Sequence, residues 1–213
     1  MGRAREVVIT GVGVVSPIGI GNDAFWSALV GGRSGVRTVR GEGGAPLDPV
    51  LHADVQDFDP KAYIRPRKSL KVMSRDIQLG FTAAELAAAD AGLDVGSVDP
   101  ERLGVVFGAG LISCDIGELA AAFRNCMTGR EFEFGRWGQQ AMAEMFPLWM
   151  LKYLPNMPAC HIGIARDARG PNNSLTLDEV SGLAAVAEAT RVIERGQADA
   201  MFAGGTNSDV LPT

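Results

Sequence analysis

Residues 170–182, GPNNSLTLDEVSG, lead into the alanine-rich run LAAVAEATRVIERG at 183–196. A strand is predicted to end in this stretch and a helix over 177–195 to begin, with Asp178 and Glu179 in its first turn. Thr176 and Glu179 have the spacing of a capping box, in which the threonine hydroxyl and the glutamate carboxylate satisfy the first backbone N–H groups. The residues of this helix are mostly small and apolar on all sides, which is typical of a buried helix. Charge near the end of a buried helix is costly unless a polar cavity lies there. The acids therefore indicate either a cap or a site, and the residues alone favour neither.

The segments around this stretch alternate between two kinds of pattern. An apolar, β-branched run at 6–15 predicts a strand covered on both faces, and residues 103–107 predict a second buried strand. Residues 172–176 and 198–203 predict a third and a fourth strand. Between them, periodic runs predict helices from Asp23 with Asn22 as N-cap and from Ser74 to about Gly92, and residues 115–165 are mostly helical in pattern. This alternation predicts an α/β fold, with a mostly parallel sheet and helices on both faces.

Composition restricts the function classes. The 213 residues carry a net charge of −5, which argues against a nucleic-acid binder. No apolar run reaches the roughly 20 residues of a membrane span. Three cysteines without a CxxC spacing indicate reduced thiols and a cytoplasmic protein, and with two histidines they assemble no metal site. The Gly11–Gly13 turn is a poor dinucleotide site, because Pro17 and further residues separate it from the next helix start.

A basic run, RPRKSLKVMSR at 65–75, stands out in an acidic chain. Such a run is either a solvated helix face or a docking patch for an acidic partner. Its charges alone leave the two interpretations equally open.

Several motifs in order resemble the β-ketoacyl-acyl-carrier-protein synthases of fatty acid and polyketide synthesis. They are TGVGVVSPIG, FWSALVGGRSGV, MSRDIQLGFTAAELAAADAGL, LGVVFGAG, LPNMPACHIGI, GPN and ADAMFAGG, and they cover residues 6–206. The resemblance implies the N-terminal half of a thiolase-like fold, with residues 1–213 as one domain and the C-terminal half absent. It implies no cofactor and no metal.

The family's nucleophilic cysteine lies at the start of the helix that follows GPN. Counting from Gly170 and back from Gly182 puts that position on Glu179, and the family's two catalytic histidines belong to the C-terminal half. The resemblance therefore implies a condensation-incompetent, chain-length-factor-like subunit. A malonyl-carrier-protein decarboxylase or an acyltransferase that uses Glu179, or a truncated half of a synthase, are the alternatives.

Other positions carry family roles by the same resemblance. Lys68 and Lys71 match positions that dock the acyl carrier protein. The segment Leu148, Trp149 and Met150 matches residues that shape the acyl pocket, and Gly108 and Gly110 match the turn that lines it. The implied partners are the acyl carrier protein and a second subunit, either a cysteine-bearing ketosynthase or a second copy, in a dimer.

Overall fold

Short strands and helices alternate along the computed structural model, which describes residues 5–39 and 50–208. The ends of the predicted domain, 1–4 and 209–213, lie outside the described residues. The α-helices are Asn22–Val30 (α1), Pro60–Tyr63 (α2), Arg75–Asp90 (α3), Ile116–Asn125 (α4), Met142–Glu144 (α5), Met157–Arg166 (α6) and Ser181–Glu194 (α7). The strands are Val15–Ser16 (β1), Gly19–Ile20 (β2), Arg37–Val39 (β3), Val50–His52 (β4), Leu103–Ala109 (β5), Met127–Thr128 (β6), Glu131–Phe132 (β7), Asn172–Leu175 (β8) and Ala200–Thr206 (β9).

The central sheet contains β5, β8 and β9. Its strand order is β8-β5-β9, and both pairings are parallel, with Val105 opposite Asn172 on one side and Phe202 on the other. All residues of β5 are buried, as the continuous apolar run at 103–107 predicts for a strand covered on both faces. The α/β prediction with a parallel sheet is confirmed.

Helices cover the two faces of β5 through alternate residues. Val105 and Phe107 join the main core with Ile77 of α3 and Ile162 of α6. Gly108 faces the other way and lies against the start of α7. The carboxyl ends of the three strands and the first turn of α7 therefore meet on one edge of the sheet.

The predicted first strand, residues 6–15, is wrong over most of its length. In the described part of the chain, residues 5–14 have no ladder partner, and Val8 and Ile9 are 68% and 79% exposed. The backbone lies on α3 instead, and the Val12 N–H donates to the Asp90 carboxylate over 2.9 Å. A Cβ on Gly13 would lie 2.0 Å from the Ala83 carbonyl oxygen, so this glycine allows close packing on a helix.

Of the helix caps predicted at Ser74 and Asn22, the first is confirmed and the second is wrong. Ser74 caps α3, since its Oγ accepts from the Ile77 N–H over 3.4 Å, and the following turn has Gly92 at φ 63°. Asn22 is not the cap of α1, because it is the first helical residue and its amide donates to the Val12 carbonyl over 2.7 Å. The expected cap is used to hold the N-terminal segment.

Residues 115–165 are mostly helical, as their pattern predicts, but the helices are short and of mixed type. The β6–β7 hairpin follows α4, with Gly129 at φ 64°, and the rings of Phe123, Phe132 and Trp137 cluster around it. Beyond Pro147 only a short 3-10 helix, Trp149–Lys152, precedes α6. No helix in the described ranges is long and apolar enough to cross a membrane.

His161 is a buried ionisable group in the core-facing side of α6. Its side chain donates to the Val72 backbone carbonyl, while its Nε2 atom finds no partner among the described residues. Burial lowers the pKa of His161, and the hydrogen bond to Val72 offsets only part of this effect. The folded protein therefore holds the imidazole neutral.

We predict that acidification destabilises the protein through His161. Above the ordinary pKa of 6.5 the imidazole is neutral in both the folded and the unfolded chain. Below it, the unfolded chain takes up a proton that the folded chain resists, so acidification favours unfolding. Between pH 7.5 and 5.5 the parent should lose up to about 1 kcal/mol more unfolding free energy than His161→Gln. Urea titrations of both proteins at both pH values measure this difference, and equal losses would contradict it.

Candidate functional site

The opening stretch forms a turn at the carboxyl end of β8. Residues Asp178–Val180 make a single 3-10 turn before α7, and Glu179 within it is exposed. Asp178 has φ 55°, a left-handed conformation that aspartate tolerates better than most side chains. The carboxylate at the predicted nucleophile position thus sits on a tight, surface-exposed corner.

The predicted capping box is wrong. Ser181 closes the turn instead, because its hydroxyl accepts from the Leu177 N–H over 2.8 Å and donates to the Asp178 carbonyl over 2.6 Å. No side-chain cap forms at either helix start in this turn. The Glu179 carboxylate is therefore not committed to capping the helix.

Glycines fix the position of the turn on the sheet. A Cβ on Gly108 would lie 2.4 Å from the Ser181 carbonyl carbon, and one on Gly205 would lie 2.9 Å from the Gly182 Cα. Gly108, one of the two predicted cavity-lining glycines, thus supports the helix start next to Glu179. Gly110 lies near the Asn207 side chain, at the end of the same strand.

The helix α7 is buried on one side only, which corrects the prediction of burial all round. Ala185 and Ala189 pack inward, whereas Leu183 and Val186 are 77% and 41% exposed. Val180, in the turn before the helix, is 57% exposed. An apolar face therefore borders Glu179 on the outside, a pattern that marks interaction surfaces.

Some side chains of the basic run are held by contacts within the protein, and others are exposed to solvent. Arg75 lies over the Phe58 ring at 4.7 Å and donates to the Val55 carbonyl, and Arg65 donates to backbone carbonyls. Lys68 and Lys71 are exposed on the 3-10 helix Arg67–Val72, and neither forms an ion pair within the described residues. Residues three apart on a 3-10 helix eclipse, so both lysines project from the same side.

Lys71 and Trp149 line the same cleft, of about 380 Å³, which we call the outer cleft. Phe146 and Glu144 line it as well, together with Glu118 and Lys152. A predicted docking lysine and a predicted pocket residue thus come together. Leu148 and Met150 do not line this cleft and are 50% and 61% exposed.

A second cleft, of about 300 Å³, lies towards the carboxyl ends of β5 and β9, and we call it the inner cleft. Most of its lining residues are polar or charged, and they include Ser74, Gln78, Ser113 and Ser208. Glu118 and Lys152 line this cleft too. Glu179 and Lys68 line neither cleft, so the structure does not gather all the predicted residues in one cavity.

The charged pair between the clefts is a feature that sequence reasoning missed. Lys152 Nζ donates to Glu118 Oε1, and the Tyr153 hydroxyl donates to Glu118 Oε2 over 2.9 Å. Burial and the Glu118 carboxylate raise the pKa of Tyr153, which keeps its hydroxyl protonated as a donor. The pair spans 34 residues of sequence, so no local spacing could have revealed it.

Thiols and imidazoles lie elsewhere. Cys114 lies next to Tyr153, Cys126 is buried beneath α4, and Cys160 is in α6. His52 Nε2 lies 3.3 Å from Asp54, and His161 is buried in α6. Within the described part of the chain, no group of three or more His, Cys, Asp or Glu side chains could hold a metal ion.

Comparison with known proteins identifies a family and relatives. Residues 4–213 match the family model described as "Beta-ketoacyl synthase, N-terminal domain". The chain is 34% identical over 212 residues to "Actinorhodin polyketide putative beta-ketoacyl synthase 1" of Streptomyces coelicolor, covering 99% of this chain and 44% of that protein. It is 31% identical over 208 residues to "3-oxoacyl-[acyl-carrier-protein] synthase 2" of Coxiella burnetii, covering 98% and 47%.

Among solved structures, "The ishigamide ketosynthase/chain length factor" superposes with a TM-score of 0.73 at 25% identity, covering 96% of this chain and 47% of that chain. The resemblance to a ketosynthase and to its thiolase-like fold is confirmed. The chain spans about half the length of the curated relatives it matches.

We predict that Ser181, and not Thr176, stabilises the turn that carries Glu179. Ser181→Ala leaves the part-buried Leu177 N–H and the Asp178 carbonyl without their partner and should lower the unfolding free energy by about 1 kcal/mol. Thr176→Ala, which removes the capping residue expected from sequence, should change it by less than about 0.5 kcal/mol. Denaturant unfolding of both variants measures this, and the reverse ranking would restore the capping box.

Proposed function

Because the chain belongs to the β-ketoacyl synthase family, we propose that it acts in a ketosynthase-like subunit that binds acyl chains and carrier protein without condensing them. In this proposal residues 1–213 form the N-terminal half of the subunit. The other half supplies the remaining walls of its cavity. The subunit pairs with an active, cysteine-bearing synthase in the manner of a chain-length factor.

The observation that carries this proposal is Glu179. It occupies the position at which the family keeps its nucleophilic cysteine, on a tight turn at the carboxyl end of the sheet. No cysteine occurs in residues 170–182, and neither histidine of the described chain lies in this turn. Glu179 thus stands in a tight turn before a helix, and this turn carries a carboxylate and no thiol.

A carboxylate at this corner suits binding better than condensation. Thiolates are strong nucleophiles that exchange with thioesters, whereas attack by a carboxylate would produce a high-energy mixed anhydride. An ionised Glu179 beside Asp178 would also repel the carboxylate of an incoming malonyl unit. Both effects disfavour the acyl-enzyme and the decarboxylation step.

Two surfaces support the proposed partners. Lys68 and Lys71, which form no ion pair within the described residues, present positive charge suited to an acidic carrier protein. Lys71 also lines the outer cleft, together with Trp149 and Phe146. The exposed apolar face of α7 suits the second half of the subunit. The unpaired cysteines suit a reducing compartment, and we place the protein in the cytoplasm.

We predict that Glu179 forms no stable acyl-enzyme. When the full natural-length protein is incubated with an acyl-carrier-protein thioester, intact-mass spectrometry should show no acyl adduct. Carbon dioxide release from malonyl-carrier protein should be the same for the parent, Glu179→Gln and Glu179→Ala, at the level of a protein-free blank.

Three outcomes would overturn this proposal. An adduct on the parent that is lost in Glu179→Ala would make the protein an acyltransferase. Release of carbon dioxide that falls in Glu179→Ala would make it a decarboxylase. Condensation by the protein on its own would also exclude a non-condensing subunit.

We further predict that Lys68 and Lys71 dock the carrier protein. Each of Lys68→Glu and Lys71→Glu should weaken binding of an acidic acyl carrier protein by about two- to five-fold, chiefly through slower association at low salt. Arg130→Glu makes the same charge change on the exposed β6–β7 turn and should leave affinity unchanged. Surface plasmon resonance at two salt concentrations separates these cases, and equal losses in all three variants would contradict a local docking site.

A further inference from the structure

The outer and inner clefts are separated by very little. Only two residues, Glu118 and Lys152, line both of them. Glu118 comes from the first turn of α4, and Lys152 ends the 3-10 helix Trp149–Lys152. The wall between the clefts therefore consists of side chains from two elements and not of continuous backbone.

A small network holds this wall in place. Besides its bond to Lys152, Glu118 accepts from the Tyr153 hydroxyl over 2.9 Å, and the Asp115 N–H donates to the same hydroxyl over 3.4 Å. The Tyr153 and Trp149 rings lie 5.1 Å apart at 50°, so the aromatic side of the outer cleft is attached to the same network. One carboxylate thus fixes both the lysine and the tyrosine.

We propose that the Glu118–Lys152 pair, latched by Tyr153, is a gate between the two clefts. When the pair separates, the clefts join into one passage from the surface at Lys71 to the strand ends at Ser113 and Ser208. Opening requires only rotamer changes of two long side chains. Their side chains are 32% and 17% exposed, so the pair is mostly buried, and a ligand that compensates the two charges would lower the free energy needed to separate them.

The passage fits an elongated ligand. Its outer part offers aromatic surface beside two ammonium groups, Lys71 and Lys152, and two carboxylates, Glu118 and Glu144. Its inner part offers hydroxyl and amide groups together with charged side chains of both signs. Such a lining, with apolar, hydrogen-bonding and charged groups, suits a chain that carries amide groups, as a carrier-borne thioester arm does. This assignment of the ligand rests on the proposed function, whereas the gate itself does not.

Cys114 provides a reporter inside the molecule. Its neighbours Ser113 and Asp115 line the inner cleft, and its thiol lies beside the Tyr153 hydroxyl and the Trp149 indole. The Trp149 N–H is buried and has no complete hydrogen bond within the described residues, so the weakly accepting thiol is its polar neighbour. Burial raises the pKa of Cys114, so its alkylation is slow in the closed state.

The test is the rate at which N-ethylmaleimide alkylates Cys114, relative to half-buried Cys160, followed by mass spectrometry on the intact chain. Lys152→Met keeps the apolar stem but removes the ammonium, and Tyr153→Phe removes the hydroxyl latch. Each should raise the Cys114 to Cys160 rate ratio by about two- to five-fold. Arg169→Met breaks a comparable but exposed pair with Asp167 and should leave the ratio unchanged.

The expected direction cannot come from thiol chemistry. Losing the hydrogen bond from Tyr153 raises the pKa of the Cys114 thiol, and losing a nearby positive charge acts in the same direction, so either change would slow alkylation. Faster alkylation therefore reports access. Cys126, which is fully buried, must stay unreactive if a variant is folded. If Lys152→Met makes Cys126 reactive, the Tyr153→Phe variant is used for the comparison instead.

An unchanged or lower ratio in a folded variant would overturn the gate. The measurement uses no carrier protein, so its failure would leave the docking role of Lys68 and Lys71 intact. Conversely, a finding that the protein binds no carrier protein would contradict the proposed function but would not alter the alkylation ratios.

Discussion

Direct backbone contact between the central sheet and the start of α7 is the constraint on which the rest of the structure depends. Gly108 and Gly205 of adjacent parallel strands allow Ser181 and Gly182 to approach at distances that any side chain would prevent. Because the helix begins so close to the sheet, the preceding turn is forced into a tight corner, with Asp178 in a left-handed conformation. Glu179 is held at that corner by packing that does not involve its own carboxylate.

The turn that carries Glu179 and the two clefts are separate features of the molecule. The corner presents a carboxylate at the predicted nucleophile position, and the outer cleft, which Glu179 does not line, is bounded by Lys71. Ionic and aromatic groups at the clefts come from elements far apart in sequence, namely the first turn of α4 and the segment before α6. A subunit that binds a chain without reacting with it needs such clefts and does not need the thiol.

Sequence reasoning succeeded where a signal was local. Strands β5 and β9 follow from short, mostly apolar runs next to glycines, and the Ser74 cap follows from its position before a periodic helix. Strand β8 lies at the predicted place although its sequence, NNSL, is largely polar. Sequence reasoning failed where a local pattern met a competing partner. Residues 6–15 have the composition of a central strand, yet their backbone lies on α3, and the Thr176–Glu179 spacing gave way to the Ser181 hydroxyl.

The sequence by itself determined the family and the parallel α/β sheet, because each depends on residue types in a fixed order. Only the tertiary structure decided which basic side chains are available, which glycines carry the helix, and that Glu118 and Lys152 stand between the two clefts. The physical reason is distance along the chain. Contacts such as Glu118 with Tyr153, or Gly108 with Ser181, join residues whose separation leaves no periodic trace in the sequence.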